Sequence, residues 1–157
     1  MTEPPTGIAE LHQRIPFLLS QLGMYLAEDF VHRLEPFEVV PRTYAVLMAL
    51  NADDGQSQRQ LSTRLGIHRN VMVAIVDNLE RQGLVKRMPH PTDRRAFAVT
   101  LTDKARDLLP ALDAQGRAQQ AEITKPLTAQ ESAALLNQLQ RISAAVGLIP
   151  GVHPKLV

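Results

Sequence analysis

The stretch SQRQLSTRLGIHRNVMVAIVDNLERQG, Ser57 to Gly83, decides how this chain is read. Ser57-Gln-Arg-Gln60 has the form of a capping box: the serine hydroxyl accepts from the backbone three residues on, and the glutamine side chain reaches back. It opens a short helix that ends near Gly66. A second helix is predicted from about His68 to Gln82, and Gly83 supplies a left-handed stop. Two short helices joined by a glycine-containing turn make a helix-turn-helix pattern. In the second helix Met72, Ile75, Val76 and Leu79 recur at i, i+3, i+4 and i+7, the stripe expected to be buried. Asn70, Ala74, Asp77 and Arg81 fall opposite, flanked by Val71 and Val73.

Downstream of Gly83 the period changes. Leu84-Val-Lys-Arg-Met88 and Ala96-Phe-Ala-Val-Thr-Leu101 are strand-like, and Pro89 to Arg95 forms a basic, proline-punctuated tip between them. This predicts a two-stranded hairpin directly behind the helix-turn-helix. Thr102 caps a helix from Asp103 with Leu108, Leu109 and Leu112 on one side, Pro110 as a candidate kink, and Lys125-Pro126 as its end. Thr128-Ala-Gln-Glu131 is a second capping box, leading a helix with Leu135, Leu136, Leu139, Ile142 and Val146 that Gly147 closes. A short tail with Pro150, Gly151 and Pro154 follows.

Upstream, the first residues to about Gly7 carry no apolar pattern and are expected to fray. Leu11 to Phe30 has helical periodicity that Glu35-Pro36 ends, with Pro16 marking either a fresh start or a kink. Pro41 suits the first turn of a helix holding Tyr44, Val46, Leu47 and Leu50, and Asn51 to Gly55 reads as a turn. The expected fold is mainly α (α+β), one domain over residues 1–157. A winged helix-turn-helix lobe (41–101) and a linker helix (102–125) lie between terminal helices (8–35 and 128–147), with a tail at 148–157. The lobe can bury its own faces, which leaves the apolar stripes of the terminal helices spare. Spare stripes mark a partner surface, and a twofold homodimer is the commonest solution.

Composition narrows the function classes. The chain has 157 residues, 45% hydrophobic and 21% charged, the balance of a soluble globular domain. It has no cysteine, which excludes disulfides, thiolate metal sites and thiol-based sensing within the chain. No apolar run is long enough to span a membrane, and the opening residues lack the basic and apolar segments of a secretion signal, so the cytoplasm is the expected address. The five histidines (His12, His32, His68, His90 and His153) show no ligand spacing, so neither metal nor cofactor is expected. No nucleophile elbow, phosphate loop or dinucleotide fingerprint occurs, and no enzymatic activity is expected. Net charge is +1, but Gln56 to Arg95 holds eight bases against three acids, a local +5 that leaves −4 elsewhere. Such a concentration points to a polyanion-binding surface.

From Pro41 to Leu109 the chain resembles the multiple-antibiotic-resistance regulator (MarR) family of bacterial transcription factors. The resemblance is carried by Tyr44-Ala-Val-Leu, Gln60-Leu61, Leu65-Gly66, Val76-Asp77-Asn78-Leu79-Glu80, Gly83-Leu84-Val85-Lys86-Arg87, Asp93-Arg94-Arg95 and Leu101-Thr102, in that order and spacing. It implies a homodimer with intertwined terminal helices, duplex DNA as partner, and a small aromatic or phenolic ligand that alters DNA affinity. In the family's Asp-x-Arg wing pattern, the groove-entering arginine corresponds to Arg95 and the aspartate to Asp93. The family usually has polar or basic residues where this chain has Val73 and Ala74, and a serine or threonine cap where it has His68; these departures bear on target-sequence specificity.

The residues themselves supply the candidate DNA contacts. Asn70 can pair with an adenine edge, whereas Val73 and Ala74 can only touch a thymine methyl. His68 and Arg69 sit at the helix start, where a phosphate also meets free backbone N–H groups. Arg94 and Arg95 at the hairpin tip suit a narrow minor groove, with Asp93 expected to fix a neighbouring arginine by a charge-assisted bond. Lys86 and Arg87 are phosphate clamps or packing stems, and Arg59 and Arg64 are expected on backbone phosphates. Met24, Met48, Met72, Tyr25 and Tyr44 are either cavity lining or core, so the ligand-binding residues stay unassigned. The reading is a sequence-specific, ligand-responsive repressor, a homodimer on a roughly palindromic operator. Its alternatives are a winged-helix protein-interaction module, motivated by the apolar Val71, Val73 and Ala74, and a non-specific architectural DNA binder.

Overall fold

The computed structural model describes residues 5–153; the opening Met1 to Pro4 and Pro154 of the tail lie outside the described residues. The helices are α1 (Ala9–His12), α2 (Ile15–Leu34), α3 (Pro41–Ala52), α4 (Gln58–Leu65), α5 (Arg69–Arg81), α6 (Asp103–Ile123) and α7 (Ala129–Ala145). The strands are β1 (Gln56–Ser57), β2 (Val85–Pro89) and β3 (Phe97–Leu101). Of the two readings of Pro16, the fresh start is correct: α1 ends at His12, and α2 begins at Ile15 with Pro16 in its first turn, where its missing N–H costs nothing. Pro110 lies on the exposed side of α6, which runs through it unbroken from Asp103 to Ile123.

Caps form where the side chains to make them stand. Ser57 Oγ accepts from the Gln60 N–H at 3.2 Å while Gln60 Oε1 accepts from the Ser57 N–H at 2.7 Å. Thr128 and Glu131 repeat the arrangement on α7, and Glu131's carboxyl is held below its ordinary value by the Thr128 backbone and hydroxyl bonds. Thr102 Oγ1 caps α6 through the Ala105 N–H and donates to the Gly83 carbonyl at 2.6 Å, tying the helix to the end of the helix-turn-helix.

The predicted two-stranded wing is instead part of a three-stranded antiparallel sheet, in the order β1-β3-β2. Gln56 pairs with Val99 and Ser57 with Ala98. Two residues are too short to show a period of two, so β1 has no sequence signature of its own. It matters nonetheless: the buried Gln56 side chain donates to the carbonyls of Ala49 (3.2 Å) and Asp53 (2.7 Å), finishing α3.

The core sits in the lobe. Met72, Val76 and Leu79 of α5 are fully buried and Ile75 nearly so, against Val46, Leu47 and Leu50 of α3, Leu61 of α4, Val85 and Val99 of the sheet and Leu112 of α6. The predicted stripe is the buried one. A polar cluster joins α2 to α6: Arg33 pairs with Asp29 (2.6 Å) and Glu122, and Gln119 donates to Asp29 and the Leu26 carbonyl, both at 2.8 Å. The Arg33 and Gln119 bonds hold Asp29's carboxyl below its ordinary value. Its stabilising contribution is therefore complete above the unfolded-state value and lost as pH falls through the lower folded-state one.

Truncating the centre of the stripe, Leu79→Ala, should cost about 2–5 kcal/mol in denaturant-unfolding free energy, because the site is sealed on all sides. Replacing the sheet-to-helix tether Arg87, described below, by Met should cost about 1 kcal/mol and raise amide hydrogen exchange along β2 and β3, whereas Arg95→Ala, at the solvent-exposed tip, should leave the unfolding free energy within about 0.5 kcal/mol.

Candidate nucleic-acid interface

With one face of α5 in the core, the opposite face is exposed at Arg69, Asn70, Val73, Ala74, Asp77 and Arg81. Val73 retains 43% of its surface. His68 is the N-cap: its Nδ1 accepts from the Asn70 N–H at 3.3 Å, so the imidazole fills the role the sequence reading found unusual. That bond engages the Asn70 backbone and leaves its amide side chain free for another partner. Gly66 ends α4 at φ +66° and Gly83 follows α5 at φ +70°, left-handed positions that a side chain would strain.

The acids of this region are used internally. Asp77 and Glu80 on α5 both pair with Arg87 of β2, whose Nε also donates to Gln58 at 3.2 Å. Arg87 thus serves as a packing stem, with only 19% of its side chain exposed. Lys86, the neighbour on the strand, points the other way and is exposed. This alternation along β2 sets Arg87 against the helices and Lys86 towards solvent.

Arg64 is exposed but also reaches back to α3. It follows the buried Leu61 by three residues, on the side of α4 that adjoins that helix. Its Nη1 donates to the Ala49 carbonyl at 3.2 Å, placing a cation against the negative C-terminal end of α3. Its helical spacing from Leu61 is the sequence signal for this contact. Arg59 remains exposed. Among the described residues, the side chains of Arg59, Arg69, Lys86, Arg94 and Arg95 make no hydrogen bond or ion pair.

The wing tip is built by backbone capture. Asp93 Oδ1 accepts from the Arg95 N–H at 2.9 Å, and the Asp93 carbonyl accepts from the Ala96 N–H at 3.1 Å. Asp93 therefore fixes the chain beneath Arg95 rather than an arginine guanidinium, the Asx geometry of a short acidic side chain in a turn. His90, absent from the candidate residues, accepts from the Asp93 N–H at 3.2 Å through Nδ1 while its own N–H meets the Ala96 carbonyl at 3.2 Å. The tip thus presents Arg94 and Arg95 from a closed loop of the chain.

Beside the lobe lies a cavity of about 730 Å³ between α2, α3, α4 and the segment after α7. Phe30, Tyr44, Met48 and Leu65 supply apolar walls, and Arg64 a charge. Phe30 and Tyr44 meet edge to face at 5.1 Å, and burial, aided by Asp113, pushes the Tyr44 phenol above its ordinary value. Of the five residues weighed as cavity or core, Tyr44 and Met48 line this space, Met72 is core, and Met24 and Tyr25 are exposed on α2. Among the described residues no helix is long and apolar enough to cross a membrane, and no group of three potential metal ligands converges.

A sequence model described as the MarR family matches residues 39–96. The transcriptional repressor CouR, bound to a 23-mer DNA duplex, superposes with a TM-score of 0.76 at 32% identity, over 89% of this chain and 99% of that one. CouR from Rhodococcus jostii RHA1 bound to p-coumaroyl-CoA gives a TM-score of 0.72 at 27% identity, over 90% and 99%. Wild-type MarR from E. coli shares the fold, with a TM-score of 0.71 at 23% identity over 82% and 96%. With both the lobe and the flanking helices matched, this chain belongs to the MarR family of winged-helix DNA-binding transcription regulators.

Proposed function

We propose that the chain is a ligand-responsive transcriptional repressor that acts as a homodimer on a roughly palindromic operator. The observation that carries the DNA reading is the division of charge around α5. Asp77 and Glu80 are spent on Arg87 and Asp93 on the wing backbone, so Arg59, Arg69, Lys86, Arg94 and Arg95 face solvent without internal partners. Asn70 reads a base edge, Val73 and Ala74 touch thymine methyls, His68 and Arg69 meet a phosphate at the helix start, and Arg94 and Arg95 enter the minor groove. Lys86 and Arg59 add phosphate contacts.

Dimerisation is supported by the terminal helices, proposed here as segments 8–35 and 128–147 joined to the lobe (41–101) by the linker helix (102–125). No residue of α7 is buried, and Leu135, Leu136, Leu139 and Ile142 line its exposed side. On α2, Ile15, Leu19 and Leu22 are exposed in the same way. Two such copies would set the recognition helices about one DNA turn apart.

The cavity is the proposed ligand site. Its size and largely apolar wall suit a small aromatic or phenolic body, and p-coumaroyl-CoA, seen on CouR, is the first compound to test. Arg64 is suited to read an anionic group. The Ala49 carbonyl already accepts from the Asp53 N–H (3.1 Å) and Gln56 (3.2 Å), so the Arg64 bond is a third donor on two lone pairs.

Fluorescence anisotropy at physiological salt, with the DNA flanking the protein's own gene competed by random duplex, tests the reading. Tight binding that random duplex does not displace is expected; equal competition makes the protein an architectural binder, and no binding to either favours a protein-interaction module. Arg95→Ala should weaken operator binding by about 1–3 kcal/mol, and Arg59→Ala should reduce the slope of log affinity against log salt by about 1. Arg64→Met should weaken p-coumaroyl-CoA about tenfold, the loss of one charge-assisted bond, with the DNA salt slope unchanged. A reduced slope in that variant would return Arg64 to the phosphate contacts.

A further inference from the structure

The chain does not stop at α7. Gly147 (φ +76°) and Gly151 (φ +73°) each adopt a left-handed backbone, and between them the direction reverses. The Leu148 N–H meets the Ser143 carbonyl at 3.0 Å and the Val152 N–H meets the Ile149 carbonyl at 3.1 Å, so both bends are closed by their own backbone. The bends carry the chain from α7 back against the DNA-binding lobe, where Pro150, Gly151, Val152 and His153 make the fourth wall of the cavity.

Val152 does a second thing there. Its γ-methyl lies 3.5 Å from where a Cβ on Gly66 would stand, so it sits beside the glycine of the turn between α4 and α5, where a larger residue would touch it. Val152 is half-buried while Gly151 and His153 on either side are exposed. One short segment therefore faces the cavity and also stands beside the turn that leads into the recognition helix. The other three walls are helices, each of which (α2 through Leu34, α3 and α4) holds residues of the main core; the strap contributes nothing to that core. The wall with the fewest buried apolar contacts is the one that yields first.

We propose that residues 148–153 form a strap that reports the state of the cavity to the helix-turn-helix: seated, Val152 braces the Gly66 turn in the DNA-competent arrangement; an occupant of the cavity lifts the strap and releases the turn. This rests on the cavity being the ligand site. An occupant shifts the equilibrium only by the difference in its affinity for the two strap positions. Because the strap continues directly from α7, it also links the proposed dimer helices to each lobe.

The test uses the full-length protein and two variants, Val152→Asp, which cannot seat a charge on the turn, and Val152→Ala, which keeps the strap apolar but shortens the contact. Circular dichroism and the thermal midpoint establish that both fold. Amide hydrogen exchange at Ile67 to Asn70 should rise severalfold in Val152→Asp and less in Val152→Ala, with operator affinity falling in the same order. Added p-coumaroyl-CoA should release DNA from the wild type and have little further effect on Val152→Asp. Unchanged exchange at the turn overturns the proposal, whatever the ligand does. So does faster exchange with wild-type DNA affinity and wild-type release. If exchange rises and affinity falls while the wild type ignores p-coumaroyl-CoA and simpler aromatic acids, the strap's brace on the turn stands and the assignment of the cavity as an aromatic-ligand site is what fails.

Discussion

Burying Met72, Ile75, Val76 and Leu79 is the constraint on which the rest of the molecule depends. A helix has one set of directions for its side chains, so placing these four in the core at once dictates that Arg69, Asn70, Val73 and Ala74 face away from it. The packing that stabilises the lobe and the presentation of the recognition face are consequences of the same rotation of α5. The surrounding parts then serve to hold that rotation: Leu61 and Leu47 from one side, Val85 and Val99 of the sheet from another.

Electrostatics sharpen what packing begins. Arg87 reaches from β2 to two carboxylates one turn apart on α5 and to Gln58 on α4, joining sheet, supporting helix and recognition helix at one guanidinium. A planar, five-donor cation suits that task better than lysine would. It also occupies Asp77 and Glu80, so neither acid pairs with the outward bases. The local net charge is unchanged by this pairing, but the bases left outward are those without internal partners. At the wing the same economy holds: Asp93, the third acid, is turned inward onto the backbone below Arg95.

The lobe is coupled to the terminal helices along two routes. One is the Asp29–Arg33–Glu122–Gln119 cluster and the Phe30–Tyr44 contact, which lock α2 to α6 and α3. The other is the cavity, bounded by helices on three sides and by the segment after α7 on the fourth. In the proposed mechanism a ligand works against this pair: the fixed contacts keep the helices in register while the fourth wall takes up the change.

Much of this was legible in the sequence, and the reason is range. Caps at Ser57, Thr102 and Thr128, the glycine stops at Gly66 and Gly83, and the stripe of α5 depend on residues three or four positions apart, and they stand in the structure where the sequence places them. What only the tertiary structure decided depends on partners distant along the chain. Strand β1 exists because Gln56 meets Val99 across more than forty residues, with no periodicity to announce it. Arg64 meets the Ala49 carbonyl at the cavity's edge because the C-terminal end of α3 arrives beside it, and Arg87 acts as a strut because α5 brings two acids to its strand. The placement of Val152 beside Gly66 spans more of the chain still. Local hydrogen bonds and helical period are written into neighbouring residues; which cation finds which acid, and what closes a cavity, is set only when the core brings separate segments together.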